Sequence, residues 1–316
     1  MMPQTNNPNY DFRKEHRDNV VLVTVSDNHF AVMLAALLKS IDRSYEGGYD
    51  ITIYIVDDGV FAKNRRKINA LALDARINLV WVPIKEAIPK HVMLPLDGST
   101  FPLNVYARVC IPYFLPKTTE KAIYLDADML VMKDVLELWQ IDLKGYSVAA
   151  VTDSLETVNA WAAIRNYAEL GIPANAKYFN TGLLILDLKK WREEETPLKI
   201  FERVEENIPY AAFPEQYGMN VHFANNWLEL DPLWNTYAQL DEPSPYIIHF
   251  TGMKPIYKGY NFNATYKQIF FDHLKLTPYS GYKPKEKYFR LINKGLHVAE
   301  KKWLSFVEKG FAVFRK

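Results

Sequence analysis

Cysteine is almost missing from this chain of 316 residues: Cys110 stands alone, so an internal disulfide and a cysteine-built zinc site are both excluded. No apolar run approaches the ~20 residues that a membrane-crossing helix needs. The longest, Phe30 to Leu38, reads instead as the buried face of a helix. Nor is there a surplus of one charge. Lys and Arg number 38 against 37 Asp and Glu, a formal net charge of +1, which argues against nucleic acid as a partner. Neither a Walker A pattern nor Gly-x-Gly-x-x-Gly occurs, so any phosphate would have to be held by a metal and by isolated cations. Internal repeats and low-complexity tracts are absent too. Residues 1–18 are polar, lack the apolar centre of a signal peptide and read as a flexible N-terminal arm. With 49% hydrophobic and 24% charged residues the chain has material for a sizeable core, and it reads as a cytoplasmic globular protein.

What is present is unevenly spread. Residues 282–316 carry ten Lys or Arg against three Glu, a local charge of +7, leaving 28 basic and 34 acidic residues, or −6, in the first 281. From Ile292 the apolar residues Leu296, Ala299, Trp303, Phe306 and Phe311 fall near helical spacing, while Lys294, Lys301 and Glu308 lie a heptad apart on another face. Aromatic residues on one face and cations on another predict a helix lying on an anionic membrane surface, peripheral at the inner face of the cell membrane. The competing reading packs the same helix on the acidic body. The expected division is an arm over 1–18, an α/β domain over 19–281 and a basic amphipathic tail over 282–316.

Within the body, apolar β-branched runs alternate with helical patterns. Asn19 to Val25, Ile51 to Val56, Ile77 to Val82, Lys121 to Leu125, Ser147 to Val151 and Gly182 to Leu186 read as strands. Phe30 to Ile41 and Arg65 to Leu73 read as helices. This alternation predicts an α/β fold around a mostly parallel sheet flanked by helices, with ligands beyond the carboxyl ends of the strands. Several of those ends are polar, at Ser26, Asp57 and Asp126.

The sharpest feature is Ala122-Ile-Tyr-Leu-Asp126-Ala-Asp128-Met-Leu-Val. An extended chain turns Asp126 and Asp128 to the same side, with Ala127 between them. Two carboxylates so placed suit a divalent cation and leave room on it for phosphate oxygens. Read without further context, the pair is equally a strand end with solvated aspartates. Two more polar islands follow apolar strands or precede them: Tyr178-Phe-Asn-Thr-Gly182 and His249-Phe-Thr-Gly-Met-Lys-Pro255. A His, a Gly and a Lys in the second would serve metal ligation, close backbone approach and phosphate pairing.

These segments, together with Phe213 to Asn220 (FPEQYGMN), resemble glycosyltransferase family 8 in the same order, over about Val20 to Tyr257. The resemblance implies a GT-A fold, Rossmann-like, and a retaining hexosyltransferase using a UDP-sugar, with UDP-galactose or UDP-glucose first in line. It implies Mn²⁺, with Mg²⁺ second, on Asp126, Asp128 and His249, a ligand set that suits Mn²⁺ on chemical grounds as well. Thr24, Ser26 and Asn28 match a uridine-binding strand end. Arg108 matches a donor contact, Ala127 lies within the DxD, and Asn180 and Gly182 match sugar-side residues. Gly252 and Lys254 match diphosphate contacts. Gln216, Glu215 and Asp153 fall where the family faces the donor sugar and the acceptor, a glycan or lipid-linked glycan. Three positions depart from the pattern: the Gly252 to Lys254 spacing is one residue short and lacks the usual Trp, Glu215 replaces Asp, and Thr181 replaces Ala.

Two other functions fit parts of this. Aspartate-nucleophile phosphatases also place Asp-x-Asp after a strand, but on the first strand of the fold, whereas three strands precede it here. An inactive sugar-nucleotide-binding protein of the same fold is the other. Among the remaining residues, Trp161, Tyr167 and Tyr178 are acceptor-side candidates. Cys110 and Tyr106 read as packing, and Asp57 and Asp58 as strand-end caps.

Overall fold

The computed structural model describes residues 4–5, 19–96, 99–286, 288, 295–296, 298–299 and 301–303. Its strands are β1 (Gln4–Thr5), β2 (Asn19–Asp27), β3 (Asp50–Asp58), β4 (Ile77–Pro83), β5 (Lys121–Leu125), β6 (Met129–Val131), β7 (Val148–Thr157), β8 (Lys177–Asp187), β9 (Leu228–Glu229), β10 (Thr236–Tyr237) and β11 (Ile247–His249). Eight form one sheet in the order β1-β4-β3-β2-β5-β8-β7-β9. The β4-β3-β2-β5 block is parallel, β8 runs against both β5 and β7, and β1 runs against β4. The mostly parallel sheet expected from the sequence is therefore the observed one.

The unbroken apolar runs follow from burial of the sheet on both faces. Val20, Leu22, Ile53 and Ile123 pack on one side, against Leu34, Leu37 and Leu38 of the helix Ala31–Ser44. Val21, Val23, Tyr54 and Tyr124 pack on the other, with Trp191, Ile200 and Phe201. Successive strand residues alternate between these two layers, so both faces of the sheet are mostly apolar.

A second sheet, in the order β10-β11-β6, decides where the site forms. Antiparallel pairing of β11 with β6 sets His249 opposite Met129, the residue after Asp128, and the Phe250 N–H donates to Asp128 O at 3.0 Å. The Asp126 N–H donates to Gly182 O in β8 at 2.8 Å. The Asp-x-Asp turn is thereby tied to both sheets.

Three local expectations shift. The second helix begins earlier, at Ala62–Asn69, because Gly59 turns the chain at φ +78° and the Phe61 N–H is taken by Asn28 Oδ1 at 2.9 Å. Tyr178 to Gly182 lie inside β8 rather than before it, since Asn180 and Thr181 find side-chain partners that a strand interior otherwise lacks. β7 runs on to Thr157, with a register shift after Ala150, so Asp153 is a strand residue.

Most of the arm over 1–18 lies outside the described residues; Gln4 and Thr5 pair with the edge strand β4. Most of the tail over 282–316 lies outside them as well. Its first residues belong to the body: Lys285 bridges Tyr257, and the Tyr282 hydroxyl donates to Ile256 O at 3.3 Å. Residues 295–296, 298–299 and 301–303 are helical, with Leu296 and Trp303 exposed and Lys301 buried, its Nζ donating to Ser99 Oγ at 3.1 Å. Among the described residues no helix is long and apolar enough to cross a membrane.

Candidate active site

A cavity of about 850 Å³ opens beyond the carboxyl ends of β2 and β5. At one end ligand atoms of Asp126, Asp128 and His249 all lie within 4.8 Å of one another. His249 Nε2 is 3.3 Å from Asp128 Oδ1 and 3.8 Å from Asp126 Oδ2. The imidazole's other nitrogen, Nδ1, meets Asn235 Oδ1 at 2.8 Å. Asn235 Nδ2 donates to Asn180 Oδ1 at 2.9 Å, which fixes the amide orientation and makes Asn235 Oδ1 an acceptor. Nδ1 therefore donates to Asn235, which leaves Nε2 as the nitrogen facing the two carboxylates and the one that would ligate a metal. The residues fit a hard or borderline divalent cation.

The cations around this cluster are already engaged. Lys254 Nζ pairs with Asp128 Oδ2 and donates to Phe250 O. Burial opposes ionisation of Asp128, yet Lys254 and then His249 outweigh it and hold its carboxyl below the ordinary carboxylate range. Arg108 donates to Asp126 Oδ1 at 2.9 Å, to Thr181 O at 2.9 Å and to Val105 O at 3.1 Å, and its guanidinium lies 4.7 Å from the centre of the Tyr124 ring. Burial works against its charge, but Asp126 and its other anionic neighbours push its pKa above the ordinary value. Tyr124 donates to the same Asp126 oxygen at 2.7 Å. Arg108 thus orients the first aspartate of the pair while lining the cavity.

Gly182 must be glycine. A Cβ there would stand 2.5 Å from His249 Cε1 and 2.9 Å from both Asp126 Oδ2 and Asn180 Oδ1. Gly252 takes a left-handed turn at φ +69° next to Lys254.

The opposite end is built from neutral donors around one carboxylate. Asp153 Oδ2 accepts from Tyr237 OH at 2.8 Å, Asn180 Nδ2 at 3.0 Å and Gln216 Nε2 at 3.2 Å. Asp153 Oδ1 accepts from the Leu155 N–H at 3.0 Å. Gln216 Oε1 accepts from Thr181 N at 3.2 Å, Thr181 Oγ1 at 3.3 Å and Asn180 Nδ2 at 3.3 Å. Glu215 and Gln216 arrive on the first turn of the helix Pro214–His222, where Pro214 and an acidic residue both suit a helix start. Asn220 pins that helix to β8 by exchanging hydrogen bonds with Phe179, at 2.8 and 2.9 Å. Gly218 lets it press on the helix Thr196–Glu206, since a Cβ would meet Val204 Cγ2 at 2.5 Å.

Of the residues singled out from the sequence, Arg108, Asp126, Ala127, Asp128, Asp153, Asn180, Gly182, Glu215, Gln216, His249, Gly252 and Lys254 all line this cavity. Thr24, Ser26 and Asn28 do not. Alternation along β2 turns Val25 and Asp27 into it instead, and His29 follows them. Ser26 Oγ donates to Asp27 O at 3.0 Å, and Asn28 Oδ1 accepts from Phe61 N and Asn64 Nδ2, both at 2.9 Å. The strand begins at Asn19 as expected but runs on to Asp27, and Val25 and Asp27, not Thr24 and Ser26, line the cavity. Trp161 lines the cavity, whereas Tyr178 is buried in an apolar cluster with Val158, Ile164 and Tyr217, and Tyr167 packs against that cluster. Cys110 and Tyr106 are buried, as expected, and burial pushes the Cys110 thiol up to about 12. Asp57 caps its strand end, accepting from Val60 N at 2.7 Å.

Asn235, Tyr237 and Gln239 were missed. They come from a stretch without motif or periodicity, and only the parallel pairing of β10 with β11, with Tyr237 opposite His249, brings them to the site.

This geometry agrees with comparison to known proteins. General stress protein A of Bacillus subtilis (strain 168) is 24% identical over 282 residues, covering 82% of this chain and 94% of that protein. Glycosyltransferase GlyF of Streptococcus pneumoniae serotype 4 is 29% identical over 245 residues; the match takes in 72% of this chain but spans only 55% of GlyF. Among solved structures, the galactosyltransferase LgtC in complex with donor and acceptor sugar analogs superposes with a TM-score of 0.66 at 20% identity, covering 82% of this chain and 96% of LgtC, which places the fold in the GT-A class. The phosphatase reading falls: the Asp126-Ala-Asp128 turn follows β5 rather than the first strand, and its two carboxylates share one cluster with His249. Residues 21–256 match glycosyl transferase family 8, and the chain belongs to that family.

Proposed function

We propose that the protein is a retaining hexosyltransferase that moves a hexose from a UDP-sugar, UDP-galactose or UDP-glucose, to a hydroxyl of a glycan or lipid-linked glycan. The observation that carries this reading is one cavity with a cation-binding cluster at one end and the Asp153–Gln216–Asn180 network at the other. Mn²⁺ held by Asp126, Asp128 and His249 would neutralise charge developing on the departing diphosphate.

The chain's own groups define the rest. Lys254 leaves Asp128 for a phosphate oxygen once that carboxylate has a stronger partner. Arg108 holds Asp126 in place throughout. His249 keeps its Nδ1 proton on Asn235. Gln216 has its amide oxygen committed to Thr181 and Asn180, which leaves it a poor nucleophile toward an anomeric carbon. That arrangement favours front-side substitution, in which the acceptor hydroxyl enters on the face the diphosphate leaves, over a covalent intermediate. Asp153, surrounded by neutral donors, faces the incoming hydroxyl.

The test is hydrolysis of UDP-galactose and UDP-glucose with Mn²⁺, with and without a chelator. Turnover that needs the ion is expected. No turnover identifies an inactive sugar-nucleotide-binding protein, and turnover unchanged by the chelator sinks the metal role. Proton NMR of the product from an α-linked donor reads retention, with a β product refuting it.

The same reading places the protein in the cytoplasm, peripheral at the inner face of the cell membrane, through residues 282–316. Exposed Leu296 and Trp303 beside a +7 segment support it. Co-sedimentation with anionic and neutral vesicles decides it, comparing the full chain with Lys294, Lys302 and Lys309 changed together to Gln. Equal binding by both removes the membrane from the proposal.

A further inference from the structure

Trp161 is the most exposed large apolar side chain among the described residues, at 83%, and it lines the active-site cavity. An indole left in water at a cavity mouth calls for an explanation, because ring burial is worth more than that of almost any other side chain. Its backbone is not loose. It sits in the turn between β7 and β8, where the Val158 N–H donates to Ala176 O and the Ile164 N–H to Val158 O, both at 2.9 Å. Its neighbours Val158, Ala163 and Ile164 are fully buried. Among the described residues no hydrogen bond or ring contact holds the indole itself. A rigid turn thus presents a free aromatic face, an arrangement that lowers the ordering cost of binding.

Charge narrows what that face receives. The cations lining the cavity, Arg108 and Lys254, are engaged with Asp126 and Asp128 at the metal end. Ser154, Leu155, Phe101 and Phe213 line the same cavity as Trp161, the two Phe rings tilted by 59° with centres 5.6 Å apart. Glu215 shares Arg108 at 3.9 Å, and Asp153 is held by neutral donors, so an anionic acceptor would meet Asp153 with both Arg108 and Lys254 already engaged.

We infer that Trp161 is the platform for the acceptor's sugar ring, and that the acceptor ring is a neutral pyranoside. The apolar C–H face of the pyranose lies on the indole while a ring hydroxyl reaches Asp153. This inference rests on the transferase reading, yet its test does not need turnover.

Saturation-transfer NMR is run with UDP and Mn²⁺ present, titrating lactose, maltose and methyl α-glucoside in parallel with glucuronic acid and N-acetylneuraminic acid. At least one neutral sugar binds, through its ring protons, and the two acids do not. Trp161→Ala weakens that binding about tenfold, Trp161→Phe restores most of it, and neither changes the melting temperature. Leu198→Ala, an exposed apolar residue on the helix Thr196–Glu206, has no effect. Acidic sugars binding as well as neutral ones, undiminished binding by Trp161→Ala, or no neutral sugar bound by the wild-type protein would each overturn the inference. Absence of UDP-sugar hydrolysis with sugar binding at Trp161 intact would instead refute the transferase reading alone.

Discussion

The two ends of the cavity are built on opposite electrostatic plans. At the metal end, charge answers charge: two carboxylates and an imidazole face each other, with Arg108 and Lys254 pressed against them. At the opposite end Asp153 is held by the hydroxyls of Tyr237 and Ser154, two amides and a backbone N–H, all neutral, while Glu215 lies 3.9 Å from Arg108. The first plan suits a site that must take a divalent ion and a diphosphate and release them again. The second holds a carboxylate in one position by several hydrogen bonds.

The largest effect should come from breaking the charged end. Asp128→Asn is expected to lower turnover about a thousandfold and to flatten a Mn²⁺ binding isotherm measured by calorimetry, with the circular dichroism spectrum unchanged. Next is Gly182→Ala, which forces His249 and Asp126 apart. A displacement of that size should cost about a hundredfold in turnover and weaken Mn²⁺ in the same calorimetric assay.

The neutral end should yield less. Tyr237→Phe removes one of several donors to Asp153, and about 1 kcal/mol of stability with a loss in turnover of less than about tenfold is expected in denaturant melts and steady-state assays. A loss as deep as that of Asp128→Asn would show that the two ends do not differ as described. The smallest effect concerns the helix that carries Glu215 and Gln216, whose far end is His222. Burial, then Lys199 and Arg203, push its pKa down from 6.5 to about 4. Below 6.5 the unfolded chain takes up a proton that the folded chain refuses, so stability falls as pH drops toward 4. His222→Phe should flatten that part of the curve, by on the order of a few degrees in thermal midpoint.

Much of the metal end was legible in the sequence. The strand Lys121–Leu125 was bounded correctly and the carboxylate pair was visible after it, but a turn in which the Met129 N–H donates to Asp126 O at 3.2 Å, rather than the alternation of an extended chain, brings Asp126 and Asp128 together. His249 was named through its likeness to a family motif, but nothing local in the chain says that it reaches Asp128. The β2 strand shows the limit from the other direction. Its start at Asn19 was readable from β-branched composition, but the strand runs on to Asp27 rather than ending at Val25, and its facing was not readable because a strand buried on both sides has no polar-apolar alternation to set the phase. Asn235 and Tyr237 were invisible for a different reason: a two-residue strand carries no period at all.

The sequence by itself determined the alternation of strands and helices, the parallel sheet, the carboxylate pair and the lone buried thiol, since each rests on local spacing or composition. The tertiary structure alone decided that β11 lies against β6, that Asn235 is the partner of His249 Nδ1, that Val25 and Asp27 rather than Thr24 and Ser26 line the cavity, and that Trp161 is exposed while Tyr178 is buried. Those four outcomes depend on sheet pairing and on packing between segments far apart in the chain, where the free energy of contact outweighs any preference a residue carries alone.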